Sequence, residues 1–161
     1  MPHDLDSHCS STQQLNGAAP KNTKMKFQHN WRQKSIENLE RNNWGEVPTD
    51  ESSIVQRLYR LRKVPLEAFT IDDIRFMIIQ QTGLPYLLKM AIELLQTDIY
   101  TEGNYYEGDL LSAVLHINAE NWKPNQDSWI EVDKLINDKL EELKRFRPKL
   151  NIEKFYSARF E

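Results

Sequence analysis

The 161-residue chain has a single cysteine, Cys9, so it cannot close a disulfide within itself. It has no apolar run approaching the roughly eighteen residues that a membrane-spanning helix needs. Histidine is sparse as well: His3, His8 and His29 lie towards the N-terminus and His116 ends an apolar run, which leaves general acid–base chemistry few candidates. No G-x-x-x-x-G-K-[ST] phosphate loop, H-E-x-x-H zinc helix or G-x-S-x-G nucleophile turn occurs, so the common nucleotide-binding and hydrolase signatures are missing. His3, His8 and Cys9 have metal-ligand chemistry but no second spaced pair to complete a tetrahedral site. No cofactor or metal is expected. Nor does any segment sustain the alternation of a strand or repeat at a fixed period, which argues against a sheet or a solenoid.

What the chain does carry is helical punctuation. Residues 1–24 are rich in Ser, Thr, Gln, Asn, Gly and Pro, have no period, and read as a disordered tail. Met25 is the expected natural start. Ser35 can cap a short helix bearing Ile36 and Leu39, ended by Asn42, Asn43 and Gly45. After Thr49 and Asp50, Ile54, Leu58 and Leu61 make an apolar stripe that Val64-Pro65 should stop. Thr70 and Asp73 predict a capping box, with Phe69 and Ile74 as its hydrophobic staple and Gly83 as the stop. Pro85 then opens the run YLLKMAIELL, apolar on nearly every side and expected to be the central helix. Asp109 can cap a helix burying Leu110, Leu111, Val114 and Leu115; HINAENWKPN reads as a turn. A last helix, from about Gln126 to Phe146, carries Trp129, Val132, Ile136, Leu140 and Leu143. The fold expected is all-α, a compact single-domain bundle of about six helices over residues 25–161.

Charge is uneven along this framework. The net charge is −3 overall, yet residues 98–142 hold three lysines against eleven acids, whereas residues 143–161 hold six bases against two acids. Arg57, Arg60, Arg62 and Lys63 cluster on one predicted helix. Wholesale nucleic-acid binding is unlike a net-acidic chain, because it depends on a basic patch to neutralise phosphates.

The stretch EGNYYEGDLLSAVL concentrates the functional question. Glu107 and Asp109 resemble a catalytic carboxylate pair, but Asp109 already has work as a helix cap. Tyr105 and Tyr106 have three possible uses: packing of at least one ring under the loop, stacking on bases, or a contact with another protein. Their neighbours Glu102, Glu107 and Asp109 repel phosphate and suit a cationic partner.

Four segments, SIENLERNNWGE, LYRLRKVPLEAFTIDDIRFMI, TGLPYLLKMAIELL and GNYYEGDLLSAVL, together resemble the immunity proteins of bacterial contact-dependent growth inhibition systems. The resemblance covers roughly Ser35 to Trp122. It implies a cytoplasmic inhibitor, not a catalyst, that binds the C-terminal toxin domain, often a nuclease, of a large exoprotein encoded beside it. No small-molecule substrate or membrane is implied. Charge then selects the expected toxin-binding residues: Asp98, Glu102, Tyr105, Tyr106, Glu107 and Asp109 on the loop, with Glu131, Asp138 and Glu142 on the last helix. Arg75 is expected to pair internally with the Asp109 region. The rival reading is a regulatory adaptor that binds nucleic acid through Arg57, Arg60, Arg62 and Lys63.

Overall fold

Local capping decides where the first helices begin. In the computed structural model, which describes residues 27–147 and 149–159, Ser35 accepts the Asn38 N–H at 3.2 Å and starts α1 (Ile36–Glu40). The expected tail over residues 1–24, with His3, His8 and Cys9, and the expected start at Met25 lie outside the described residues. Ser52 starts α2 (Ser53–Arg62) in the same way, accepting from Val55. At α3 (Ile71–Ile79) the predicted capping box is complete: the Thr70 hydroxyl accepts the Asp73 N–H at 3.1 Å, and the Asp73 carboxylate accepts the Thr70 N–H at 3.0 Å.

The stop after α3 differs from expectation. Gln81, not Gly83, takes the left-handed conformation, with φ 54°, while the Gln81 and Thr82 N–H groups close a Schellman pattern onto Ile78 and Met77. A residue with a Cβ pays strain there. The Gln81 side chain offsets it by accepting hydrogen bonds from the Asn118 N–H (2.9 Å) and from Asn121 Nδ2 (2.7 Å). Gly83 instead opens α4 (Leu84–Thr97); its φ is 65°, and a Cβ there would lie 2.6 Å from Ile36 Cδ1.

Helix α4 buries Leu84, Leu87, Leu88, Met90, Ala91, Ile92 and Leu95. It packs against α3, α5 (Asp109–Leu115) and α7 (Gln126–Asp138), and α3 packs against α5. Each fully buried Leu or Ile contributes roughly 1.5–3 kcal/mol, so this layer around α4 is the centre of the core. Ile54 departs from its expected stripe and stands exposed, while Leu58 is half-buried and Leu61 buried.

The all-α reading holds among the described residues, where the sole strand-like pairing is an isolated bridge between Ser35 and Pro65. The helix count is higher than about six. The presumed turn at residues 116–125 contains α6 (Ala119–Trp122), and the presumed single last helix breaks at Lys139 into α7 and α8 (Leu140–Phe146). A further helix, α9 (Ile152–Ser157), is capped by Asn151 and buries Phe155 between Trp122 and Trp129.

Candidate functional site

The loop between α4 and α5 is closed on itself. The Asp98 carboxylate accepts the Tyr100 N–H at 2.9 Å, and the Gly108 N–H donates to the Tyr100 carbonyl at 2.9 Å, bringing the two ends of the loop together. Asp109 is the first residue of α5, and the residue before it, Gly108, occupies the cap position with φ 87°. The expected capping role of Asp109 is therefore corrected. Its carboxylate turns back and accepts three main-chain N–H groups, from Gly103 at 2.5 Å, Tyr105 at 3.0 Å and Asn104 at 3.1 Å.

Asp109 is 2% exposed, which takes it off the surface that had been expected to meet a partner. Its charge is answered by Arg75, whose Nε lies 3.6 Å away, so the expected internal pair is present. Arg75 also bonds Asp72 at 3.1 Å, and Arg57 bonds Asp72 and Asp73 at 2.9 Å each. A continuous line of alternating charges thus runs from α2 across α3 to the loop. At its end the Arg75 guanidinium sits 4.4 Å from the centre of the Tyr105 ring.

Burial pushes the Asp109 carboxyl up, but the three N–H donors and Arg75 outweigh that and hold it below the usual carboxylate range. Asp73 is also held low: burial opposes ionisation, while Arg57 and the Thr70 N–H and hydroxyl favour it more strongly. Such groups stabilise the fold fully above their unfolded pKa of about 3.9, and that contribution is lost as pH falls through the lower folded value. The midpoint of urea unfolding is therefore expected to stay level above about pH 5 and to fall below about pH 4, with a shallower fall in Asp109→Asn. Identical acid profiles for the two proteins would remove Asp109 from this account.

Tyr105 and Tyr106 are 68% and 51% exposed, so neither ring packs under the loop as one of them was expected to. Glu102 and Glu107 are exposed beside them. Helix α8 approaches the same loop: Tyr100 donates its hydroxyl to Glu142 at 3.0 Å, and Arg147 pairs with Glu107 at 3.4 Å. Glu142 therefore joins the loop. Glu131 and Asp138 are exposed on α7, and no hydrogen bond or ion pair ties either to the loop among the described residues. Phe146 is 60% exposed at the end of α8; it follows Leu143 at a step of three and so continues the apolar spacing, which gave no signal of its exposure.

Glu107 and Asp109 do not converge as a carboxylate pair, since Glu107 faces Arg147 and Asp109 faces Arg75. His116 bonds the Ser112 carbonyl through Nδ1 at 2.7 Å, closing the last turn of α5. Among the described residues no cluster of His, Cys, Asp and Glu could hold a metal, and no helix is long and apolar enough to cross a membrane.

The basic residues of α2 are not a free stripe. Arg62 is 1% exposed, bonded to Glu40 at 2.9 Å and to the Asn42 carbonyl at 2.9 Å, with the Trp44 ring 4.0 Å from its guanidinium. Arg57 is committed to Asp72 and Asp73, and Lys63 to Glu37 at 3.1 Å. Arg60 is exposed.

No curated protein and no solved structure matches this chain. A family model described as CDI immunity proteins matches residues 38–132, more than half of the chain. That span contains Arg57, Asp72, Asp73, Arg75 and Asp109, so the charged line that holds the loop lies wholly within the matched region. The chain belongs to the CDI immunity protein family.

Proposed function

We propose that this protein is the cytoplasmic immunity partner of one CDI toxin, binding the toxin domain at the C-terminus of a large exoprotein and blocking it one-to-one without transforming it. A nuclease is the toxin class that fits best, because a phosphate-binding cleft is basic and the loop over residues 98–109 exposes Glu102 and Glu107, the second of them shared with Arg147. The observation that carries this reading is the prepared loop. Asp109 and Arg75 fix its main chain, so the exposed Tyr105, Tyr106, Glu102 and Glu107 meet a partner with little ordering cost. Standard protein interfaces bury about 1,600 Å² in total, which a domain of this size can supply.

Two measurements test it. Co-expression with the toxin domain encoded beside this chain is expected to restore growth; cells that die at the same rate with and without the folded protein would end the proposal. Reversing Glu102 and Glu107 to lysine is expected to slow association about tenfold at low salt and to flatten its dependence on ionic strength. An unchanged rate and an unchanged salt dependence would exclude this loop as the steering surface.

A further inference from the structure

Three aromatic rings meet between the segment before α1 and the start of α4. The Phe27 ring centre lies 4.9 Å from that of Trp31 and 5.4 Å from that of Tyr86. With Leu39 they line a cleft of about 210 Å³, to which Lys34 and Arg41 contribute the charge. No acid lines it among the described residues. The carboxylates that could neutralise it are used elsewhere: Glu37 pairs with Lys63, Glu40 with Arg62, and Glu93 with Arg32. Lys34 Nζ is held only by the neutral side-chain carbonyl of Gln28, and Arg41 has no carboxylate partner among the described residues. Arg41 also carries backbone strain. It caps the end of α1 at φ 53° and ψ 42°, the left-handed region that favours glycine, so the chain accepts a cost to place a guanidinium at this spot. Burial, and after it the charge of Glu40, push the Tyr86 hydroxyl above its ordinary value, which keeps it a proton donor.

We infer that this cleft binds a small organic anion, a single aromatic ring bearing one carboxylate or phosphate group, with the ring among Phe27, Trp31 and Tyr86 and the anionic group on Arg41 and Lys34. Aromatic walls with a few placed polar groups are the makeup of small-molecule sites. Size sets the upper limit: the cleft falls below the roughly 300–1,000 Å³ of sites for drug-sized ligands, which leaves room for about one ring. Charge sets the sign. Two cations whose neighbouring acids are all paired to other bases attract an anion, and the guanidinium fork matches the paired oxygens that carboxylate and phosphate share. Phe27, Trp31 and Lys34 precede residue 38, so half of the binding groups lie outside the span that the family model matches. No residue of the loop over 98–109 lines this cleft, which makes it a second site, separate from the surface assigned to the toxin.

The experiment is isothermal titration of the full chain with benzoate and with phenyl phosphate; benzyl alcohol and inorganic phosphate supply the ring and the anion separately. At least one aromatic anion is expected to bind with a Kd below about 1 mM, and the tighter of the two identifies the anionic group that the site takes. Benzyl alcohol and inorganic phosphate are expected to bind at least about tenfold more weakly. Arg41→Gly removes the guanidinium and the backbone strain together, so it should melt at or above the wild-type temperature and yet bind at least about tenfold more weakly. Arg60→Gln changes an exposed base outside the lining and should bind as wild type. The inference is overturned if neither aromatic anion binds, if benzyl alcohol or inorganic phosphate binds equally well, or if Arg41→Gly keeps full affinity. No toxin domain enters the titration, so the immunity proposal stands or falls by its own tests.

Discussion

Replacing Asp109 with alanine is expected to lower folding stability by about 3 kcal/mol and to weaken toxin binding in the protein that remains folded. Breaking a buried ion pair by removing one partner costs about 3–5 kcal/mol, because the other charge is left without compensation. The low end applies here, since Arg75 keeps Asp72 at 3.1 Å. Three main-chain donors, from Gly103, Asn104 and Tyr105, lose their acceptor at the same time. Asp109→Asn retains an acceptor oxygen without the charge and should fall between alanine and wild type. Urea unfolding followed by tryptophan fluorescence gives the stability, and binding measured well below the transition gives the loop's share. A stability loss below about 1 kcal/mol for the alanine variant would mean that the loop holds its shape by other contacts.

The second large effect is expected at Phe155 in α9. Phe155 is fully buried, stacked on Trp129 with ring centres 4.8 Å apart and edge-on to Trp122 at 5.5 Å. Its carbonyl accepts the Trp129 indole N–H at 3.3 Å. Truncating a buried phenylalanine to alanine costs about 3–5 kcal/mol, part from transfer and part from the cavity left behind. For a chain of this length that corresponds to a fall in Tm on the order of 10 °C. Tyr156→Phe is the control: it keeps the ring and removes a hydroxyl that meets Asn137 at 3.4 Å and Asp133, which should cost at most about 1.5 kcal/mol. Equal melting temperatures for Phe155→Ala and Tyr156→Phe would show that α9 does not anchor the bundle.

What could be read from the chain alone followed the range of the signal. Ser35, the Thr70–Asp73 box and the apolar run of α4 are local statements, complete within a turn or two of helix, and they appear where the spacing placed them. Asp109 was misread because a Gly-Asp pair before an apolar run looks the same whether the carboxylate caps its own helix or turns back to the loop. The decision is made by Arg75, on another helix, and no local pattern reports it. Arg62 was misread for a related reason: its charge suggested solvent, while Glu40 and Trp44 enclose it. The break at Lys139 was hidden because the apolar spacing continues through it, from Ile136 to Leu140 and Leu143. For the surface itself, a count of acids along the chain does not reveal which way each one faces. It grouped Glu142, which bonds Tyr100, with Glu131 and Asp138, which have no tie to the loop.

Asp109 grips the loop through amide hydrogens, a feature that every residue except proline supplies. Asn104 and Tyr105 could therefore be exchanged for other amino acids without disturbing the grip, whereas a Cβ at Gly103 would lie 3.0 Å from Arg75 Cδ and 3.3 Å from Asp109 Oδ1 and would push on the pair that holds the loop. A holder indifferent to what it displays leaves the outward side chains of the loop free to vary while the course of the main chain beneath them is kept.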